Sequence, residues 1–161
     1  MIIRACTASD VEQICDIYNY YIVNSAVTFE EMPIATQEMS RRIALHSQHY
    51  PWLVCEVSGE IVGYAYASRW KERSAYKYTA EITVYVRAGI IRQGYGKALY
   101  QELIPQLSAR QCHTVLACIT LPNVASTGLH ERLGFEKVAH FRQVGFKFGE
   151  WRDVGYWQKV L

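Results

Sequence analysis

The chain has 161 residues, 50% of them apolar, enough for one domain with a sizeable core over residues 1–161. Its 17 Lys and Arg stand against 15 Asp and Glu without any basic run, so neither nucleic acid nor a membrane surface is an expected partner. No stretch approaches the ~20 apolar residues of a membrane span, and the start carries no signal-length apolar run, so a cytoplasmic protein handling a small molecule is expected.

Ile2 to Ala5 predicts a short strand, and Ser9-Asp10-Val11-Glu12 has the spacing of a capping box that opens a helix. Val11, Ile14, Tyr18, Tyr21 and Ile22 trace one apolar face to about Val23. Asn24 to Pro33 breaks the pattern and predicts a loop. Thr36 is the expected cap of a second helix through His46, carrying Met39, Ile43 and Ala44 inward. Trp52 to Val57 and Ile61 to Ser68 form an expected hairpin around Ser58-Gly59-Glu60.

Arg69 to Lys77 is polar, cationic and aromatic although it joins two apolar strands, a composition with no packing reason that marks a functional connection. Ile82, Val84 and Val86 then alternate with Thr83, Tyr85 and Arg87 as a strand. Leu99, Leu103 and Leu107 recur at helical spacing further on, in a helix that Pro105 should kink or end early. Val115 to Ile119 reads as a buried strand. Leu121-Pro122-Asn123 turns the chain into a helix that runs to Leu133 and stops at Gly134. Strands over Lys137 to Arg142 and Val154 to Val160 complete the chain. The order predicts a mixed α/β sheet of about six to seven strands, flanked by about four helices on both faces. The five cysteines are odd in number and form no C-x-x-C pair, so they read as buried thiols in a reducing compartment, with no metal expected.

The switch from period two to period 3.6 falls on Arg87 to Tyr95, with Gly94 and Gly96 at the turn into the helix. Glycines there let a ligand approach the backbone, and the first N–H groups of a helix are unpaired and sit at the positive end of its dipole. A phosphate site is the expectation. A Walker loop needs a glycine where Ile91 stands and a hydroxyl residue where Ala98 stands, and a dinucleotide loop needs a glycine at Leu99, so both are excluded.

What remains resembles the pyrophosphate loop of the GNAT superfamily of N-acetyltransferases, Gln/Arg-x-x-Gly-x-Gly/Ala, with Ile91 departing at the first position. The run from Asn123 through Ser126, Leu129, His130 and Glu131 to Gly134-Phe135 is similar to the second signature of that superfamily. VTFE (Val27 to Glu30), W-K-x-R-x-A-Y (Trp70 to Tyr76), T-A-E-x-T-V-Y-V (Thr79 to Val86) and the segment Gly145 to Gln158 narrow the likeness to phosphinothricin and methionine sulfoximine N-acetyltransferases.

The resemblance implies acetyl-CoA as cosubstrate, held by Arg92, Gln93, Gly94, Tyr95, Gly96 and Lys97, by the strand edge Val84, Tyr85 and Val86, and by Asn123 and Ser126, unless Asn123 only caps its helix. It implies Glu81 as the base that frees the amine. A carboxylate beside Ile82 and Val84 is also unusual on residue grounds, the alternatives being a structural ion pair or an outward-facing strand residue. His130 stands where relatives carry an acid for the departing thiolate, or else is a packed helix histidine. Arg73 is the expected receptor for an acceptor carboxylate, since its fork offers two parallel bonds. Phe29, Glu30, Trp70, Tyr76 and Lys147 are candidates for the same pocket, each with the alternative of a solvated charge or core aromatic. Trp151, Tyr156 and Trp157 read as core or subunit interface, and a homodimer is expected.

The function implied is direct acetyl transfer to the α-amine of a small amino-acid-like substrate. The alternatives are a peptide or aminoglycoside amine, or a non-catalytic acyl-CoA-binding regulator on the same fold.

Overall fold

The computed structural model describes residues 1–90 and 92–161. Ile91, the position at which the glycine loop departs from the pattern it resembles, lies outside the described residues. In chain order the elements are β1 (Ile2–Ala5), α1 (Val11–Asn24), α2 (Thr36–Ser47), β2 (Trp52–Val57), β3 (Glu60–Arg69), β4 (Thr79–Val86), α3 (Tyr95–Ala109), β5 (Thr114–Leu121), α4 (Val124–Arg132), β6 (Glu136–Lys147) and β7 (Glu150–Val160).

The strands form one sheet in the order β1-β2-β3-β4-β5-β7-β6, antiparallel throughout except for β4 beside β5. Alternation along the strands divides the core in two. Leu53, Cys55, Ala65, Ile82 and Val115 face α3 and its Leu99, Leu103 and Leu107. Trp52, Val54 and Tyr64 face α1 and α2 with Ile14, Ile17 and Met39. Each helix thus buries one apolar stripe on the sheet, which is what the 3.6-residue spacing requires.

Several expectations are corrected. The turn into α1 begins at Thr7, whose N–H donates to Asp10 Oδ2 at 2.7 Å while the Asp10 N–H donates to the Thr7 carbonyl at 3.1 Å. Asp10 therefore closes this turn, ahead of the Ser9 box, because the Arg4 guanidinium fixes its carboxylate with two bonds of 2.7 Å. Ala44 is exposed, since only Met39 of α2 is fully buried. Pro105 does not end α3, which runs on to Ala109. Only Cys15 and Cys55 are buried, whereas Cys118 is exposed.

β6 and β7 run far past the expected ends and close on Phe148-Gly149, both at positive φ (55° and 73°), as a two-residue hairpin demands. The long edge strand was hidden by register shifts between Lys137 and Ala139 and between Phe141 and Gly145, which break the alternation of its apolar residues.

Candidate active site

The site begins with a failure of pairing. β4 and β5 run side by side only at Thr79↔Thr114, Ala80↔Val115 and Glu81↔Leu116. Past Glu81, β4 stays bound to β3 as far as Val86, so its other edge is open. The Arg87 N–H donates to the Val62 carbonyl at 2.8 Å, continuing the Gly63↔Val86 register. By the two-residue alternation of an antiparallel ladder, the main-chain groups of Tyr85 face β3, whereas those of Val84 and Val86 face the gap. Tyr21 fills part of it, its hydroxyl donating to the Val86 carbonyl at 2.5 Å.

The gap opens into a cavity of about 740 Å³. It is lined by Val84, Tyr85 and Val86 of β4, by Arg92, Gln93, Gly94, Tyr95, Gly96 and Lys97 at the start of α3, and by Asn123, Ser126 and His130 of α4 and its cap. The residues expected to hold a coenzyme are therefore brought together. Gly94 takes φ +84°, a conformation that L side chains rarely adopt, and no side chain caps the helix it starts. The first bond of α3 runs from the Ala98 N–H to the Gly94 carbonyl at 2.9 Å. The Gly96 and Lys97 N–H groups have no acceptor among the described residues and sit at the positive end of the helix dipole. These donors, the open strand edge and the volume between them fit a coenzyme with a pyrophosphate and a chain of amides.

Asn123 caps its helix and also lines the cavity. Its Oδ1 accepts from the Ser126 N–H at 3.1 Å and so caps α4, which leaves the amide NH₂ for the cavity that it lines. His130, 2% exposed, is wedged edge-on between the Tyr100 and Phe135 rings at centroid distances of 5.3 and 5.2 Å. Its Nδ1 lies 2.8 Å from the Ser126 carbonyl, a contact that requires N–H there, so Nε2 carries the lone pair and has no partner among the described residues. Burial pushes its pKa down, against the smaller effect of the Ser126 carbonyl. The neutral ring is favoured, which makes Nε2 an acceptor. An acid role would first need that nitrogen protonated.

Glu81 ends the paired part of β4, at the closed end of the gap. Its carboxylate makes no hydrogen bond or ion pair among the described residues, so the ion-pair explanation of this residue falls away. Desolvation raises its pKa above the ordinary carboxylate value, and the charge of Lys71 offsets part of that rise. Lys71 was missed by sequence reasoning, because nothing in an exposed lysine signals which carboxylate its charge reaches.

The six residues expected around the acceptor fall into two groups, and none of them lines the cavity. Lys147 is buried, its ammonium donating to the Ile22 carbonyl at 2.8 Å and the Thr28 carbonyl at 2.9 Å. Its charge is spent holding the end of α1 to the following loop. Glu30 pairs with Arg42 at 2.7 Å, and Phe29 packs against Gly145, where a Cβ would overlap its ring. Trp70 and Tyr76 meet edge to face at 5.2 Å in the β3–β4 connection. Arg73 sits between them in sequence, exposed and without an ion pair among the described residues. Of the C-terminal aromatics, Trp157 is core and Trp151 is 62% exposed, while Tyr156 pairs across strands with Cys118.

Comparison with known proteins gives a consistent result. Residues 3–155 match the acetyltransferase (GNAT) domain family. Over 98% of this chain and 86% of the other, the sequence is 44% identical to a phosphinothricin N-acetyltransferase of Streptomyces viridochromogenes. It is 37% identical, over 99% of this chain and 94% of the other, to an L-methionine sulfoximine/L-methionine sulfone acetyltransferase of Pseudomonas paraeruginosa. A crystal structure of a phosphinothricin acetyltransferase from Sinorhizobium meliloti in complex with AcCoA superposes with a TM-score of 0.96 at 33% identity, covering 99% of this chain and 88% of that one.

Proposed function

The chain belongs to the acetyltransferase (GNAT) family and is an acetyl-CoA-dependent N-acetyltransferase; from that premise we propose that its acceptor is the α-amine of a small amino acid such as phosphinothricin, methionine sulfoximine or methionine sulfone. The names of the relatives support this acceptor class. The observation that carries the mechanism is the Glu81 carboxylate, unpaired among the described residues, at the closed end of the gap, where desolvation makes it a stronger base.

When bound, the coenzyme supplies a thioester whose carbonyl carbon takes the nucleophile. The α3 N–H groups hold its pyrophosphate, and the Val84 and Val86 edge with the Asn123 amide holds its amides. Ser126 lines the same wall. Glu81 removes a proton from the acceptor ammonium, directly or through water, so that the amine lone pair attacks without a covalent enzyme intermediate. A main-chain N–H of the open β4 edge is positioned to stabilise the oxyanion. His130 Nε2, an acceptor in its resting form, passes a proton to the leaving thiolate only after taking one up. Arg73, exposed and free of ion pairs among the described residues, binds the acceptor carboxylate, with Trp70 and Tyr76 beside it. Phe29, Glu30 and Lys147 shape the neighbouring loop and do not contact the acceptor.

We read residues 1–161 as one domain, since both apolar clusters pack on the same sheet. Five free cysteines support a cytoplasmic location. The enzyme acts as a homodimer. Val138, Phe141, Val144, Phe146, Phe148 and Trp151 are all exposed on the β6–β7 hairpin, and a long apolar edge strand needs a cover. Sedimentation at micromolar concentration should give twice the chain mass, and a monomer would overturn this.

The deciding experiment follows thiol release from acetyl-CoA with methionine sulfoximine, methionine sulfone and their decarboxylated amines. Arg73→Ala should raise KM steeply for the amino acids and leave the decarboxylated amines unchanged, with Arg73→Lys recovering part of the loss. Equal efficiency of wild type on acids and decarboxylated amines would sink the amino-acid assignment.

A further inference from the structure

α4 carries a glycine in its interior, Gly128, where alanine would favour the helix. The neighbour that profits is Arg132, one turn later. A Cβ on Gly128 would come within 3.2 Å of Arg132 Nη1, so the guanidinium lies back along the helix over the glycine, in the direction that helical side chains lean. Arg132 is exposed, has no ion pair among the described residues, and lines the rim of the cavity.

The same helix stands against the start of α3. Leu129 Cδ2 lies 3.4 Å from the position that a Cβ on Gly96 would take. Ala125, Leu129 and Arg132 follow one another at helical spacing on that side, and all three line the cavity. Arg132 thus shares one cavity with the donors at Gly94 to Lys97. Coenzyme A carries two separate anionic groups, a pyrophosphate and a ribose 3′-phosphate. The α3 N–H groups suit the first, leaving the second without a partner.

We propose that Arg132, laid over Gly128, is the receptor for the 3′-phosphate of coenzyme A, so that this wall distinguishes acetyl-CoA from acyl carriers that lack that phosphate. The proposal depends on the coenzyme occupying the gap between β4 and β5. A guanidinium makes two parallel bonds to a phosphate, which a lysine or glutamine at this position would not.

Calorimetric titration of CoA and 3′-dephospho-CoA into wild type and Arg132→Gln tests it. Wild type should prefer CoA, and Arg132→Gln should weaken CoA about 10- to 30-fold with 3′-dephospho-CoA unaffected, as loss of a charge-assisted contact predicts. Gly128→Ala keeps the charge and displaces it. This variant should melt no lower than wild type and yet lose part of the preference for CoA. An equal loss for both ligands in Arg132→Gln, or none, would overturn the assignment. Gly94→Val separates this from failure of the site itself. If that variant folds and binds CoA as tightly as wild type, the coenzyme does not sit at α3 and the whole site is wrong, whereas loss of binding there with no discrimination by Arg132 refutes only the 3′-phosphate contact.

Discussion

The Nδ1 of His130 lies 2.8 Å from the carbonyl of Ser126, one turn earlier in α4. That single contact chooses the tautomer. A ring that donates from Nδ1 offers a lone pair at Nε2, and burial between Tyr100 and Phe135 opposes a second proton. Nitrogen NMR of the free enzyme at pH 7 should therefore find Nδ1 protonated and Nε2 bare, with the ring titrating below the ordinary histidine value of 6.5. An imidazolium persisting at neutral pH would restore the simple acid role.

Glu81 should set the acidic limb of kcat/KM. Because desolvation raises its pKa, the limb falls above 4.5, and activity is lost as the pH drops through it. The cation of Lys71 holds that pKa down, so Lys71→Met should move the limb to higher pH, and Glu81→Gln should lower turnover by about 10²- to 10⁴-fold at unchanged coenzyme affinity. A pH profile indifferent to both substitutions would place deprotonation elsewhere.

Asp10 is a structural carboxylate with a measurable pH signature. The two Arg4 bonds, and then the Thr7 main-chain and hydroxyl bonds, hold its pKa at about 2 against desolvation. A carboxylate depressed in the folded state stabilises fully above its unfolded pKa and loses that contribution as the pH falls through the folded one. The shift from 3.8 to about 2 corresponds to roughly 2 kcal/mol at neutral pH. Asp10→Asn should lower the urea midpoint at pH 7 accordingly, and the gap to wild type should shrink between pH 4 and about 2. A gap constant over that range would exclude the Arg4 pair as its source.

Lys147 is the test of the loop after α1. Lys147→Met keeps the volume but leaves the Ile22 and Thr28 carbonyls without their donor, a loss of about 2 kcal/mol or more. Hydrogen exchange should speed up over residues 25–33, while the pH profile of turnover keeps its shape. A changed profile with unchanged exchange would return Lys147 to the acceptor site.

The element order, the strand-to-helix turn at the glycines and the residues that line the cavity between β4 and β5 were legible in the amino-acid sequence. Those depend on local rules: period two against 3.6, glycine at positive φ, and free N–H groups at a helix start. The capping of α4 by Asn123 was equally local. What the charged side chains near the site do was set by packing, because their partners come from other elements of the fold. Glu30 and Lys147 looked like pocket residues until Arg42 and two carbonyls claimed them. Glu81 could have been half of an ion pair, and only the fold leaves its carboxylate without a partner among the described residues. His130 shows the limit most clearly. The motif predicts a histidine facing the coenzyme, but which nitrogen holds the proton follows from the placement of the Ser126 carbonyl and two aromatic rings, a property of packing that no spacing in the sequence encodes.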